Sequence, residues 1–169
     1  MLDGPMPHTA RAVNSAATPS PIASATRDAH TLLAFDYGAK RIGVAVGDAR
    51  LRSAHPLAVI AAAGAARRAA LDRVIEEWRP ARLIVGLPCT DDGTPHPLAA
   101  RVRHFVRELE GRYRRAVALV DERYSSVEAE ARLREAAGAR RAARASRDRE
   151  IDSYAAQLLL EQYLDDHPA

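Results

Sequence analysis

The sequence predicts an α/β fold with a mixed sheet, and three features indicate it. Two apolar runs within residues 32–48 flank a short turn that contains glycine and two basic residues, which is typical of a β-hairpin. A segment of helical period at residues 71–78 precedes an apolar strand at residues 83–87, an order typical of a β-α-β crossover. Another apolar strand, residues 116–120, follows a second helical segment. The hairpin is antiparallel and the crossover joins parallel strands, so we expect both kinds of pairing.

Each further element has a local signal in the sequence, and the expected order is β-β-β-α-β-α-β-α-α. After the hairpin we expect a strand at 54–63, a helix ended by Pro80, a strand at 82–88, a helix ending near Gly111, a strand at 116–120, a helix from Ser125 to Gly138 and a last helix at 151–164. The third strand is placed at a sheet edge, antiparallel to the second, because Pro56 has no backbone N–H to donate. Ser125 and Glu128 form a capping-box pattern, which marks a helix start.

Composition favours one globular domain. The chain has 169 residues, of which 47% are apolar, and its pI is near 9.4. The single cysteine, Cys89, excludes an internal disulfide and fits a reducing compartment. Because no apolar run has transmembrane length and no secretory signal is visible, we expect a cytoplasmic protein that does not bind membranes. Residues 1–30, rich in Ala, Pro, Ser and Thr, are expected to be a disordered tail before a domain at residues 31–169.

Asp36 is the first candidate for a functional residue. It ends the first strand, in which alternation places it on one face with Leu32 and Ala34. Both faces of this strand are apolar, so the strand is expected to be covered on both sides. A carboxylate there is costly to desolvate unless a cation or hydrogen bonds compensate it. The alternative interpretation is a turn aspartate that accepts hydrogen bonds from the amides of Gly38 and Ala39.

Further acids, like Asp36, lie at the ends of predicted strands or helices. Asp121 and Glu122 end the last strand, and the strand pattern leaves both open. Asp152 opens the last predicted helix and lies on its apolar stripe, where an acid is unusual. Its alternative role is to cap the helix or complement the helix dipole. The carboxyl ends of parallel strands form the working edge of an open α/β sheet, so Asp36, one acid of the 121–122 pair and Asp152 are expected to meet there. With no obvious basic partner, such a group of carboxylates favours a shared Mg²⁺ or Mn²⁺.

Four motifs resemble one known family. They are residues 35–45 (FDYGAKRIGVA), residues 84–88 with 92–94 (IVGLP and DGT), residues 121–129 (DERYSSVEA) and residues 151–156 (IDSYAA). In this order they resemble the family named "putative pre-16S rRNA nuclease", also described as Holliday-junction-resolvase-like, over about residues 31–166. Departures from the family pattern, at residues 89–91 and at Tyr124, leave the acids in place.

The resemblance implies a ribonuclease H-like fold with a five-stranded mixed sheet flanked by helices on both faces. It implies a magnesium-dependent nuclease that matures the 5′ end of small-subunit ribosomal RNA. The family's catalytic and metal-binding acids fall on Asp36, Glu122 and Asp152, so the resemblance favours Glu122 over Asp121. The expected substrate is RNA, with structured DNA as the alternative, and the expected assembly is a monomer or a weak homodimer.

Basic residues near these motifs are candidates for nucleic-acid contacts. They are Lys40 and Arg41 in the hairpin turn, Arg123 after the strand acids, and Arg140, Arg141 and Arg144 in the segment before the last helix. Each has a simpler interpretation as a solvated turn or loop residue. Three rival functions stay open at this point. They are a Holliday-junction resolvase that uses the same acids, a non-catalytic nucleic-acid-binding module, and an actin-like ATPase fragment, which a single domain of this length disfavours.

Overall fold

The computed structural model describes residues 29–90, 94, 96–121 and 144–168, with only the backbone course for residues 144–150. Its elements in chain order are β1 (Thr31–Tyr37), β2 (Ile42–Asp48), β3 (Ser53–Ile60), α1 (Gly64–Trp78), β4 (Arg82–Leu87), α2 (Ala99–Tyr113), β5 (Val117–Asp121) and α3 (Arg144–Asp166). Within these described ranges no helix has the length and apolar character that crossing a bilayer would need.

The five strands form one mixed sheet in the order β3-β2-β1-β4-β5. Strands β1, β2 and β3 pair antiparallel in sequence order, with β3 at the edge as predicted from Pro56. Strands β1, β4 and β5 run parallel. The mixed sheet is therefore confirmed, and its order and strand directions are those of the ribonuclease H-like fold. Because β1, β4 and β5 are parallel, their carboxyl ends meet at one edge, which we call the carboxyl edge.

Both faces of the sheet are covered, because the strands carry apolar side chains on both sides. One face packs against α1 and α2 through a cluster centred on Leu33, Phe35, Leu83, Val85 and Phe105. The other face packs against α3, through Leu32, Ala34, Ala45, Ile84, Ala156, Leu159 and Leu160. The alternation predicted for β1 is thus confirmed, since Leu32 and Ala34 face one layer and Leu33 and Phe35 face the other.

Helix α3 is anchored at the edge opposite to the carboxyl edge. Arg82, the first residue of β4, donates from Nη1 to the hydroxyl oxygen of Tyr163 at 2.7 Å. Nearby, Arg52 and Asp165 form an ion pair at 2.9 Å. The ring of Tyr163 is itself buried against the sheet. These contacts fix the carboxyl-terminal part of α3 on the strands that carry its apolar partners.

Three predicted boundaries differ from the structure. Strand β3 ends at Ile60 rather than at residue 63, and α3 begins at Arg144, seven residues before its predicted start at residue 151. Helix α2 continues through Gly111 to Tyr113, because its last turn makes contacts that offset the cost of glycine. There, Arg112 Nε and the Tyr113 hydroxyl each donate to Asp72 Oδ1 of α1 at 2.7 Å. The helix predicted from Ser125 to Gly138 lies outside the described residues.

The C-cap of α2 offers a test of local backbone strain. Arg114 adopts φ 50° and ψ 41°, a left-handed conformation that costs free energy for any residue with a Cβ atom. We expect Arg114→Gly to raise the free energy of unfolding by about 0.5–1 kcal/mol, measured by urea denaturation. The neighbouring Arg115 is also exposed but has no positive φ, so Arg115→Gly is the matched control and is expected to leave stability unchanged or lower. Equal effects of the two substitutions would contradict this explanation.

Candidate active site

Asp36 lies at the carboxyl edge on the face that α3 covers. It is the penultimate residue of β1 and pairs in register with Gly43 of β2. Its side chain follows Leu32 and Ala34 on the α3 face, as the strand alternation predicts. Burial, and secondarily the charge of Asp152, raises the pKa of Asp36 from 3.8 to about 6. The carboxylate form is therefore disfavoured here unless a cation lies nearby.

Asp152 reaches the same place from α3. The helix begins at Arg144, so Asp152 lies in its third turn rather than at its N-terminus. The alternative of a helix cap is therefore wrong, because the capping and dipole effects belong to the first turn. The predicted apolar stripe is confirmed by Ala156, Leu159 and Tyr163, all of which are buried against the sheet. The helix thus presents Asp152 to the strand face that carries Asp36.

Gly43 allows this close approach. A Cβ atom at this position would collide with the backbone carbonyl of Asp152, and would lie within 3.1 Å of the backbone nitrogen of Ser153. Any side chain at position 43 would therefore push α3 away from β2. Since Gly43 is also the register partner of Asp36, the absence of its side chain brings the two acids together. The sequence reasoning missed this role, although Gly43, Ala45 and Gly47 form a visible row of small residues on one strand face.

Asp152 has a basic partner, which corrects the expectation of acids without one. Arg41, the last residue of the hairpin turn, places its Nε 2.8 Å from Asp152 Oδ2. The turn is closed by a hydrogen bond from the Gly38 amide to the Arg41 carbonyl at 2.9 Å, which holds Arg41 beside the site. The preceding residue, Lys40, is exposed. Of the two residues in this turn that were predicted to contact phosphate, Arg41 thus forms an ion pair with Asp152 and Lys40 is exposed to solvent.

The third acid of the predicted group lies outside the described residues. Asp121 is the last residue of β5 and pairs with Leu87 at the carboxyl edge, and its carbonyl accepts a hydrogen bond from Gln162 Nε2 at 3.3 Å. Glu122 follows directly in sequence. Within the part of the chain that the structure describes, no group of three potential metal-binding side chains is present. Of the three predicted acids, the structure brings Asp36 and Asp152 together.

None of the remaining basic residues that were predicted to contact nucleic acid has a described side chain. Arg123, Arg140 and Arg141 lie outside the described residues, and Arg144 begins α3 without a described side chain. A further arginine, Arg67 of α1, contacts the last residue of β1. Its guanidinium lies 5.9 Å from the ring centroid of Tyr37, and its Nη2 lies 3.8 Å from Glu108. Arg67 is half-buried because α1 and α2 both pack beside the end of β1.

The donor set at this edge suits a hard divalent cation. Asp36 and Asp152 offer carboxylate oxygens, and their mutual repulsion is relieved by positive charge between them. Carboxylates from separate elements are the ligands that Mg²⁺ and Mn²⁺ prefer. Histidine and cysteine are absent from the acids' described contacts, so the ligand types do not suggest zinc. The arrangement is chemically suited to binding a divalent cation.

The fold and this edge define a class, that of ribonuclease H-like domains with acids at the carboxyl edge of the sheet. The chain belongs to the RuvX family, because the model of that family, described as Holliday junction resolvase, matches residues 30–166. The sequence resemblance is therefore confirmed.

Individual relatives cover most of the chain. It is 50% identical over 143 residues to a protein of Burkholderia lata named "Putative pre-16S rRNA nuclease", covering 84% of this chain and 93% of that protein. A protein of Burkholderia vietnamiensis with the same name is 48% identical over 144 residues, covering 85% and 93%. Among solved structures, T. thermophilus RuvC in complex with a Holliday junction substrate has 17% identity and a TM-score of 0.48, covering 77% of this chain and 91% of that chain.

Proposed function

We propose that this protein is a divalent-metal-dependent nuclease that processes the 5′ end of pre-16S ribosomal RNA in the cytoplasm. One structural observation carries the metal-site proposal. Asp36 and Asp152, which are 116 positions apart in sequence, converge at one sheet edge closely enough for the charge of one to raise the pKa of the other. The choice of ribosomal RNA as substrate is supported by the relatives at about 50% identity, whose name states that activity.

In this proposal Asp36, Glu122 and Asp152 hold one or two Mg²⁺ or Mn²⁺ ions. Glu122 is included because it follows the last residue of β5, whose end lies at the carboxyl edge. When bound, such a cation lowers the pKa of a water molecule and neutralises charge on the scissile phosphate.

The chain's own residues have three tasks in this mechanism. Asp36 is partly buried and fixed by the β1–β2 pairing, so it orients its oxygens with little loss of side-chain entropy. Asp152 is positioned by the close packing of α3 on Gly43. Lys40, exposed in the turn beside the site, contacts a neighbouring phosphate of the substrate in this proposal.

A substrate comparison tests this function. The purified full chain is incubated with a pre-16S RNA fragment, with mature 16S RNA of the same region and with a four-way DNA junction, with and without Mg²⁺ or Mn²⁺. We expect cleavage of the precursor RNA only when the metal is present. Preferential cleavage of the junction would favour the second candidate, a Holliday-junction resolvase, which is the activity in the family's description. Binding of RNA without cleavage under every metal condition would favour a non-catalytic module.

The arginine-rich segment before α3 gives a prediction on RNA affinity. We expect the triple substitution of Arg140, Arg141 and Arg144 by Gln to reduce the slope of log affinity against log salt by about 2, because each phosphate contact to single-stranded RNA contributes about 0.7. The measurement is RNA binding by fluorescence anisotropy at several salt concentrations.

The matched control replaces Arg101, Arg103 and Arg107, three exposed arginines of α2, by Gln. It removes the same net charge from another surface and is expected to change the slope less. An unchanged slope in the first variant, or the same change of slope in both variants, would show that the arginines at positions 140, 141 and 144 do not contact the RNA.

A further inference from the structure

We infer that Arg41 is an internal counter-cation that competes with the divalent metal for Asp152 and thereby weakens metal binding at the site. This inference rests on the proposed function, since it concerns the metal affinity of the same acids. It assigns Arg41 a positioning role that differs from the phosphate contact expected from its sequence alone.

The geometry of the ion pair is the first support. Arg41 Nε and Asp152 Oδ2 are 2.8 Å apart, and the two side chains are only 37% and 24% exposed. A pair that is partly removed from water is screened less than a surface pair, so its formation affects other ligands of the same carboxylate. A cation that coordinates Asp152 Oδ2 would have to approach an oxygen that already lies 2.8 Å from the Arg41 guanidinium, and the two positive charges repel.

The charge balance is the second support. Arg41 supplies one positive charge beside two acids, Asp36 and Asp152, so its charge balances one of the two carboxylates. One guanidinium therefore compensates the site in part, whereas a divalent cation would compensate both carboxylates. We expect metal binding to replace the contact between Arg41 and Asp152 and to leave Arg41, still fixed in the hairpin turn, beside the bound cation.

The hairpin turn supplies a matched control for charge. Lys40 and Arg41 are adjacent and carry the same charge, but the Lys40 side chain is exposed whereas Arg41 is half-buried against Asp152. Removal of either residue lowers the positive potential of the turn by one charge. Removal of Arg41 alone also eliminates the direct contact with Asp152. A difference in metal affinity between the two variants therefore measures the effect of the direct contact with Asp152 and not that of the electrostatic potential of the turn.

The experiment is a titration of Mn²⁺ into the metal-free full chain, without RNA, with free Mn²⁺ followed by electron paramagnetic resonance. We expect Arg41→Met to tighten Mn²⁺ binding by about 3- to 10-fold, as expected for the loss of one partly exposed competing ion pair. Lys40→Met is expected to stay within about 2-fold of the wild type, in line with the smaller effect of an exposed charge. Arg41→Lys keeps the charge but replaces the guanidinium that lies beside Asp152, and we expect an intermediate affinity. Thermal unfolding of each variant verifies that it is folded.

The outcomes separate this inference from the proposed function. If the wild type binds Mn²⁺ and Arg41→Met binds it equally or more weakly, the counter-cation role is wrong while the metal site stands. An equal gain in Mn²⁺ affinity for Lys40→Met would also show that the counter-cation role is wrong, because the loss of one positive charge from the turn would then explain both results. If neither the wild type nor Arg41→Met binds Mn²⁺ at millimolar concentration, the metal-dependent function itself fails. Binding by Arg41→Met alone would support the inference strongly.

Discussion

Asp36→Asn is expected to eliminate metal-dependent cleavage while it stabilises the metal-free protein at neutral pH. Activity is lost because the amide is neutral and a poor ligand for Mg²⁺, and we expect a decrease of roughly a hundredfold or more. Binding of RNA should persist, since the substitution removes no positive charge. The measurement is cleavage of the precursor RNA under excess Mg²⁺ with contaminating nucleases excluded. Asp48→Asn is the control, because Asp48 lies at the other end of the hairpin, where the amides of Arg50 and Leu51 donate to it.

The stability effect of Asp36→Asn follows from its raised pKa, which burial and Asp152 bring from 3.8 to about 6. A carboxyl group whose pKa is higher in the folded state favours folding when protonated, so its penalty is small below about pH 4, grows between about pH 4 and pH 6 and levels off above that range. Each pKa unit corresponds to about 1.4 kcal/mol, which gives a gain for Asp36→Asn of at most about 3 kcal/mol at pH 7.5.

This pH dependence is measured by urea denaturation of both proteins in the presence of a chelator. The difference in free energy of unfolding should be near zero at pH 4 and should reach its plateau above about pH 7. A wild type that equals or exceeds Asp36→Asn in stability at pH 7.5 would contradict the burial and repulsion described for this acid. Full cleavage activity of Asp36→Asn would independently reject its role as a metal ligand.

Gly43→Ala is expected to destabilise the protein by about 2–3 kcal/mol and to reduce cleavage strongly. The new Cβ would collide with the backbone carbonyl of Asp152, and backbone atoms on a packed helix move only if the helix moves. The displaced helix would carry Asp152 away from Asp36, so we expect both the free energy of unfolding and the affinity for the metal to decrease.

A second glycine serves as the control for Gly43→Ala. Gly111 lies in α2, and a Cβ there would have no atom within 4 Å. Because alanine is a better helix former, we expect Gly111→Ala to stabilise the protein by about 0.5–1 kcal/mol and to leave cleavage unchanged. The measurements are urea denaturation and RNA cleavage for both variants. Wild-type stability and activity of Gly43→Ala would show that α3 approaches β2 less closely than described.

Much of the fold was accessible from the sequence because its signals are periodic. Alternation in β1 correctly places Asp36 on one sheet face, and the helical stripe correctly turns Asp152 toward that sheet. The start of α3 was missed because the arginine-rich residues before it have no apolar period, although arginine is a good helix former. Gly111 was taken as a helix end because the contacts of the next two residues with Asp72 are tertiary and leave no local signal.

The contacts of individual side chains at the site were less accessible. Arg41 and Asp152 are 111 positions apart, and nothing in either local pattern specifies that they pair. The proximity of Gly43 to α3 likewise depends on the tertiary packing, although the row of small residues on β2 is consistent with it. The inclusion of Glu122 in the group of three acids stays a prediction, because this residue lies outside the described residues.

The anchoring of α3 at the far edge has a consequence for the chemistry. Asp152 and Tyr163 belong to one continuous helix, and their separation of 11 positions corresponds to about 17 Å along its axis. The helix is held at two points, by its close contact with Gly43 at the carboxyl edge and by the contacts of Tyr163 at the far edge, and these two points set its tilt across the sheet. We therefore expect the direction in which α3 presents Asp152 to depend in part on the hydrogen bond between Arg82 and Tyr163 at the far edge.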